Sequence, residues 1–291
     1  MIRLAAAGVL VCLAAAPPAS LDTRLRTLIQ KSGAEVAVAF TTLDRTSTVL
    51  IDPDKTFHAA STMKVPVMIE LFRQAEAGTL TLDESLPIRN EFRSIVDGTP
   101  YTLSVGDDSD REVYANVGKA MTLRALNEAM ITVSSNFATN LLIERVGAES
   151  VRKTVSRLGA EGMVVLRGVE DTKAFEKGMN NATTARALMV LLEKLGRGEA
   201  VSTSADADMV NVLARQKFRD AIPAGVPAGT RVAHKTGTIT RIHHDAAIVY
   251  GPKPYVLVVL VRGIQDQKVS GPLIASLSRE VWNELAASPS R

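Results

Sequence analysis

The stretch HAASTMKVPVMIELFRQAEAG, from His58 to Gly78, has a short polar start followed by apolar residues at helical spacing. Such spacing predicts an amphipathic helix that buries one face in a core. Ser61 and Lys64 stand three residues apart, so in a helix their hydroxyl and amine lie on one face. The stretch therefore predicts either a nucleophilic serine beside its base or an ordinary serine-capped helix with a solvated lysine.

Strand patterns flank this helical region on both sides. Glu35–Thr42 and Thr48–Ile51 predict two strands around a turn, and Arg231–Lys235, Ala246–Tyr250 and Tyr255–Val261 predict three more near the C-terminus. Because strands at both chain ends enclose a helical middle, we predict an α+β fold. Its antiparallel sheet is assembled from both termini, with flanking helices and a separate all-helical lobe.

The chain from residue 20 to residue 291 is interpreted as one catalytic domain with two lobes. The predicted parts are an α/β lobe of residues 20–60 and 222–291, a helical lobe of residues 61–221, and a closing helix over Leu273–Ala287. The polar, turn-rich segment 88–119 predicts a long irregular excursion, with a plain surface loop as the alternative. A cleft between the lobes is the expected place for a site.

The N-terminus predicts a secretory signal peptide over residues 1–19. Arg3 is followed by the apolar or small residues 4–16, too few for a membrane-spanning helix of about 20 residues, and then by small residues with a cleavage point expected near Ala19. A buried N-terminal helix is the alternative. Cys12, the one cysteine of the chain, leaves with the signal peptide. We expect a periplasmic or secreted protein with no membrane segment in its mature form.

The bulk composition limits the classes of partner. The chain has 291 residues, 46% of them hydrophobic, and a net charge of only +3 from 34 basic and 31 acidic residues. Aromatic residues make up 4%, too few for a base-stacking surface. We therefore expect no nucleic-acid partner.

Two further motifs follow the Ser61 motif along the chain. They are Ser134-Ser135-Asn136, at the start of an apolar helix, and Lys235-Thr236-Gly237-Thr238, at the end of a strand-like run. A glycine in a strand leaves room for a ligand along the edge, and the lysine and hydroxyls can bind a carboxylate. Each motif alone occurs by chance, since Ser150 and Lys153 repeat the first spacing with no assigned chemistry. We do not expect all three motifs in this order to occur by chance.

In this order the motifs resemble those of the penicillin-recognising serine hydrolases. The surrounding segments MITVSSNFATNLLIERVG, ATTARALMVLLEKL and GVPAGTRVAHKTGT resemble the class A β-lactamase branch, from about Leu21 to the C-terminus. The resemblance implies a monomeric serine β-lactamase that needs no cofactor or metal and confers resistance to β-lactams. A D-alanyl-D-alanine peptidase acting on peptidoglycan-derived peptide, and a penicillin-acylated sensor without turnover, stay open as alternatives.

The resemblance also implies roles for the catalytic residues. Ser61 attacks the lactam carbonyl, and Lys64 accepts its proton or assists a carboxylate base. The backbone N–H groups of Ser61 and Thr238 form the oxyanion hole. Ser134, assisted by Lys235, passes a proton to the departing nitrogen.

Further residues are expected to bind the substrate. By the same resemblance, Asn136 holds the substrate's amide side chain and the Lys64 amine. The strand edge at Thr236, Gly237 and Thr238 binds the substrate carboxylate, with Arg241 as an additional candidate.

Two departures from the family pattern concern the helix start and the deacylating base. Ser135 stands where the family usually has aspartate, a residue that is mainly structural. The family's Glu-x-x-Leu-Asn run is absent from RGVEDTKAFEKGMNNATT, where Ala174 and Phe175 take the place of Leu-Asn. Glu170 is the first candidate for the base and Glu176 the second. The alternative for Glu170 is a loop salt bridge.

The histidines predict no metal site. His243 and His244 are neighbours in a strand-like run, where adjacent side chains point to opposite faces. No third ligand follows at helical spacing. We expect His58 and His234 to pack in the interior or to support other residues.

Overall fold

A computed structural model of the protein describes residues 19–287. The predicted signal peptide lies almost wholly outside the described residues. Within residues 19–287, no helix combines the length and the apolar character that crossing a membrane requires.

Eleven strands and nine α-helices are formed by the described residues. The strands are β1 (Glu35–Thr42), β2 (Thr48–Ile51), β3 (Phe57–His58), β4 (Ser85–Pro87), β5 (Phe92–Arg93), β6 (Pro100–Tyr101), β7 (Ala120–Thr122), β8 (Ala182–Thr183), β9 (Arg231–Ile239), β10 (Ile242–Tyr250) and β11 (Tyr255–Arg262). The helices are α1 (Leu21–Ser32), α2 (Lys64–Glu76), α3 (Leu123–Thr132), α4 (Asn136–Val146), α5 (Ala148–Arg157), α6 (Thr172–Glu176), α7 (Ala185–Arg197), α8 (Thr203–Leu213) and α9 (Gln267–Ala287). Short 3₁₀ helices cover Ala60–Met63, Tyr114–Asn116 and Ile222–Gly225.

The main sheet joins the two ends of the chain, as predicted. Its five strands lie in the order β2-β1-β11-β10-β9, and every neighbouring pair is antiparallel. Glu35 at the start of β1 pairs with Arg262 at the end of β11. The α+β prediction is confirmed, and the bounds predicted for β1 and β2 agree with the structure.

Both faces of the sheet are buried, each against its own helices. Along β1, Ala37 and Ala39 belong to the larger core, which continues into the helical lobe. Val36, Val38 and Phe40 belong to the second core, which α1 and α9 cover. Since successive strand residues point to opposite faces, one apolar strand supplies both cores.

Helix α2 is the central helix of the larger core, because each of its first nine residues, Lys64 to Phe72, is buried. Ser61 does not begin this helix. It lies in the preceding 3₁₀ turn Ala60–Met63, which has no side-chain cap, so the prediction that Ser61 opens or caps the helix is wrong. The turn packs closely against β9 at Gly237.

Other element boundaries also differ from prediction. Helix α9 begins at Gln267 rather than at the predicted Leu273, with Pro272 inside the helix. Helix α1 is not among the elements predicted from the sequence. Strand β9 continues past the predicted end at Lys235 to Ile239, so the Lys235–Thr238 motif forms its last part, as the strand-like run predicted. The segment 88–119 is irregular, as predicted, with only the short strands β5 and β6 and one 3₁₀ turn.

Candidate active site

The Ser61 turn packs against the edge strand β9. At Gly237 an added Cβ would lie 3.1 Å from the backbone nitrogens of both Ser61 and Thr62, closer than ordinary van der Waals contact. The turn is held from within by the Thr62 hydroxyl, which donates to the Ala59 carbonyl at 2.6 Å. Glycine at 237 therefore lets the strand approach the Ser61 backbone, besides leaving room for a ligand.

Lys64 is fully buried next to the Ser134 motif. Its Nζ donates to the Ser134 carbonyl at 2.7 Å, to Ser134 Oγ at 3.1 Å and to Asn136 Oδ1 at 2.9 Å. Burial lowers the pKa of Lys64 to about 7, although the carboxylates of Asp108 and Glu170 oppose the shift. A lysine amine with this pKa can accept a proton near neutral pH.

The Ser134 hydroxyl receives hydrogen bonds from two lysines. Lys64 Nζ lies 3.1 Å and Lys235 Nζ 3.0 Å from Ser134 Oγ. With both lone pairs accepting, the hydroxyl proton is available to a third group. The pKa of Lys235 is lowered well below its usual range by burial and by the nearby Lys64 charge. Ser134 can therefore pass a proton to a ligand and recover it from a lysine.

Asn136 connects Lys64 to the Glu170 carboxylate. Its Oδ1 accepts from Lys64, and its Nδ2 donates to Glu170 Oε1 at 2.8 Å. Burial raises the pKa of Glu170, with the Asn136 hydrogen bond and the Lys64 charge opposing and Asp108 and Asp107 adding to the increase. The structure thus brings Glu170 into the same hydrogen-bonded chain as Lys64.

The loop carrying Glu170 is fixed on both sides of that residue. The Asn140 side chain accepts from the Val169 backbone N–H at 2.6 Å and donates to the Val169 carbonyl at 3.0 Å. The Asp171 carboxylate accepts from the Ser94 hydroxyl and the Ile95 N–H, both at 2.9 Å. Glu170 itself has φ of 62°, in the left-handed region that non-glycine residues rarely adopt. Contacts on both neighbours therefore hold a strained backbone in place.

Two side chains, those of Ser135 and Asp108, cap the N-terminus of α4. The Ser135 hydroxyl accepts from the Ala138 N–H as the N-cap of α4. The Asp108 carboxylate, from the irregular segment 88–119, accepts from the backbone N–H groups of Asn136 at 3.1 Å and Phe137 at 2.9 Å. A carboxylate at a helix N-terminus is stabilised by the helix dipole. Asp108 thus supplies from a distant loop the negative charge that position 135 lacks.

Two cavities meet at Ser61. One, of about 360 Å³, is lined by Ser61, Asp107, Ser109, Ser134, Asn136, Phe218, Asp220, Thr236, Thr238, His243 and Gln267. The other, of about 380 Å³, is lined by His58, Ala60, Ser61, Asn136, Arg167, Val169, Glu170, Asp171, Thr172, Phe175, Asn181, Thr238, Ile239 and Thr240. Ser61, Asn136 and Thr238 line both. A ligand that occupies both cavities would lie across Ser61.

Two sequence candidates stay outside these cavities. Arg241 is exposed at the turn between β9 and β10, where its guanidinium donates to the Gly263 carbonyl at 3.2 Å. Glu176 is exposed at the end of α6. Neither is among the described residues that line the cavities. The expected role of Arg241 in binding the substrate carboxylate therefore stays a prediction, with its guanidinium held at the end of β11 in this structure.

The histidines of β10 separate as the strand pattern predicts. His243 Nδ1 lies 2.8 Å from Ser270 Oγ on α9, whereas His244 Nε2 lies 3.0 Å from the His58 carbonyl on the other face. Among residues 19–287, no cluster of three or more His, Cys, Asp or Glu could hold a metal ion. His243, Asp107 and Asp108 are site residues that sequence reasoning missed. Only the register and the loop path reveal them.

The comparisons with known proteins agree with this geometry. The sequence pattern of the beta-lactamase enzyme family matches residues 20–285. The chain is 30% identical to a beta-lactamase of Bacillus licheniformis, over 82% of this chain and 75% of that protein. An ancestral class A beta-lactamase superposes with a TM-score of 0.78 at 26% identity, covering 91% of this chain and 100% of that chain. A mutant of PBP-A, solved as an acyl-enzyme complex with penicillin G, gives 0.79 at 26% identity, covering 92% and 97%.

The family pattern spans most of the described chain, and the three motifs meet around one serine. The chain belongs to the beta-lactamase enzyme family.

Proposed function

We propose that the protein hydrolyses the amide bond of β-lactams through an acyl-enzyme on Ser61. One observation carries the proposal: Asn136 joins the buried amine of Lys64 to the carboxylate of Glu170 in one hydrogen-bonded chain beside the serine. Acylation and deacylation need different bases, and this chain of contacts offers one for each.

In the acylation step, Ser61 Oγ attacks the lactam carbonyl and gives its proton to the neutral amine of Lys64. A pKa of about 7 leaves roughly half of this amine neutral at about pH 7. The backbone N–H groups of Ser61 and Thr238, residues that line both cavities, receive the oxyanion. The ring C–N bond then breaks.

The departing nitrogen takes its proton from Ser134. The two lysine hydrogen bonds to Ser134 Oγ support this transfer, since either ammonium can return a proton to the hydroxyl. On the edge strand β9, the Thr238 hydroxyl donates to the substrate carboxylate, and the Thr236 hydroxyl, which donates to Gln216 Oε1 at 3.0 Å in this structure, turns to join it. The incoming carboxylate favours the protonated form of Lys235, which lies next to these threonines, and this charge strengthens binding.

In the deacylation step, Glu170 takes a proton from a water molecule that attacks the ester carbonyl. The ester C–O bond then breaks, and the proton that Glu170 took from the water passes to the departing Ser61 Oγ, so that the enzyme returns to its starting state. Glu170 lines the cavity that also contains Ser61, and its loop is held on both sides by Asn140 and Asp171. A fixed carboxylate favours turnover over a permanently acylated sensor.

Turnover of a chromogenic cephalosporin by the purified protein tests the proposal. We expect multiple turnovers and, by intact-mass spectrometry, only a transient adduct. A long-lived adduct in the wild type would indicate a sensor. Release of D-alanine from a D-Ala-D-Ala peptide without lactam turnover would indicate a peptidase acting on peptidoglycan-derived peptide.

We further propose that residues 1–19 are a signal peptide, and that the mature protein is a periplasmic or secreted monomer conferring β-lactam resistance. The pattern Arg3, apolar residues 4–16 and small residues near Ala19 supports this. N-terminal sequencing of the secreted form should begin at Ser20. Cytosolic retention of the full chain would contradict it.

A further inference from the structure

The cavity lined by Ser61 and by Thr236 and Thr238, the residues proposed to bind the substrate carboxylate (the carboxylate seat), is also lined by His243. Strand register pairs His243 on β10 with Thr238 on β9. Directly opposed residues of an antiparallel pair have side chains on the same face. His243 therefore lies beside Thr238, and both line the cavity of about 360 Å³.

The charges along this cavity are unusual for a site that receives an anion. Its lining, among the described residues, includes the carboxylates Asp107 and Asp220 and no arginine or lysine. His243 is the one lining side chain there that can take up positive charge. Lys235 lies beneath this surface, where its Nζ is bound to Ser134 Oγ and the Thr236 carbonyl.

The His243 ring is fixed from the helix side. Its Nδ1 lies 2.8 Å from Ser270 Oγ, and the side chain is 3% exposed. Gly271, next on α9, is a close neighbour of the ring: a Cβ there would lie 3.7 Å from His243 Cε1 and 3.4 Å from Asp220 Oδ2, both ordinary contact distances. Nδ1 is thus occupied, which leaves Nε2 to meet a ligand.

Two carboxylates influence the charge of this ring. Burial lowers the pKa of His243, while Asp220, from the segment before the 3₁₀ turn Ile222–Gly225, and Asp245, on β10 itself, raise it. Asp245 is already paired with the buried His234, at 3.0 Å. On α9, the facing group is the Ser270 hydroxyl. Burial is the largest of these influences, so the ring is neutral at neutral pH until another negative charge arrives.

We propose that His243 is a substrate-binding residue that takes up a proton from solvent when the substrate carboxylate binds, and so replaces an arginine at this seat. The inference rests on the proposed β-lactam substrate. An incoming carboxylate beside the ring favours the imidazolium form, because an opposite charge stabilises the charged state. One proton enters from solvent and no covalent bond changes.

The pH dependence follows from this proton uptake. Only the protonated ring pairs with the carboxylate, so KM for an acidic substrate rises as pH increases from the lowered pKa of His243 in the free enzyme to its higher pKa in the complex, and then levels off. The chemical steps depend on Lys64 and Glu170, so kcat keeps its own pH profile. A substrate ester lacks the charge and shows no such rise.

Calorimetric binding to the full chain tests the proton directly. Benzylpenicillin is titrated into Ser61→Ala, which cannot be acylated, in two buffers of different ionisation enthalpy. We expect net proton uptake with His243 present and a clear loss of it in Ser61→Ala/His243→Gln. The methyl ester should give no uptake. Equal uptake with acid and ester in the protein that retains His243 overturns the inference, whether or not the double variant folds.

Kinetics with the otherwise unchanged enzyme separate this inference from the proposed function. His243→Gln should raise KM for the acid about 10- to 100-fold at mildly acidic pH, the range of one charge-assisted hydrogen bond, with kcat within about twofold. If the enzyme turns over β-lactams fully but His243→Gln leaves the ratio of KM for the acid to KM for the ester unchanged, this inference alone is overturned. The same holds if that KM ratio changes in Arg241→Gln instead. No turnover of any β-lactam by the wild type overturns both proposals.

Discussion

Replacing Glu170 by glutamine removes the base proposed for deacylation while keeping the shape of its side chain. The amide oxygen of the new side chain can still accept the Asn136 hydrogen bond, so the contacts of Asn136 with Lys64 should survive. The Glu170 charge raises the pKa of Lys64, and its loss lowers that pKa further below about 7. More of the Lys64 amine is then neutral, so acylation should continue.

Deacylation should suffer much more. General-base assistance contributes about 10²- to 10⁴-fold, which is roughly 3–5 kcal/mol of barrier at 1.36 kcal/mol per decade. We therefore expect a penicilloyl adduct on Ser61 to build up over minutes in Glu170→Gln. In the wild type, acidic pH should slow both steps: acylation because Lys64 is then protonated, and deacylation because Glu170 is. Burial raises the pKa of Glu170, and its protonated form cannot accept a proton from water.

Intact-mass spectrometry of samples quenched at intervals after mixing with benzylpenicillin measures the adduct. Glu176→Gln is the matched control, because Glu176 is exposed and lines neither cavity. It should turn over like the wild type. An adduct trapped by Glu176→Gln but not by Glu170→Gln would refute the assignment of the base. Loss of acylation in Glu170→Gln would show instead that Glu170 activates Ser61.

Three further substitutions test the other parts of the site. Ser61→Ala should abolish labelling by a fluorescent penicillin with almost no change in Tm, since the Ser61 turn has no side-chain cap. The control Ser150→Ala should label normally. An adduct on Ser61→Ala would contradict the assignment of Ser61 as the nucleophile. Lys235→Ala should raise KM for a carboxylate substrate about 10- to 100-fold and less for its ester, and equal losses would leave Lys235 only a role in proton transfer. Phe175 and Ile239 are 56% and 40% exposed in one cavity, so Phe175→Ala should lower kcat/KM for benzylpenicillin about tenfold, with little change for a lactam lacking the aromatic side chain.

Much of the fold follows from local pattern. The apolar run of β1 predicted its bounds, because a strand buried on both faces needs a continuous apolar segment. The start of α2 was harder to predict. The helical spacing from Ser61 onward does not reveal the 3₁₀ turn, which packs against Gly237 of β9, a residue far away in the chain.

The site residues likewise include some that the sequence predicts and some that only the structure shows. The order of Ser61, Ser134 and Lys235 along the chain indicated acyl transfer, since each residue type carries its chemistry wherever it lies. Asp108 could not be predicted, because nothing in the sequence of segment 88–119 says that this carboxylate reaches the N-terminus of α4. Its capping role compensates for Ser135 only through the path of the loop.

The order of the residues shows which chemical groups are available and in which elements they lie. It does not show that the Arg241 side chain binds the Gly263 carbonyl while His243 lines the cavity beside Thr238. Strand register accounts for this difference. In a β-hairpin the turn fixes which residues stand opposite one another, and a shift of one residue sends every side chain to the other face.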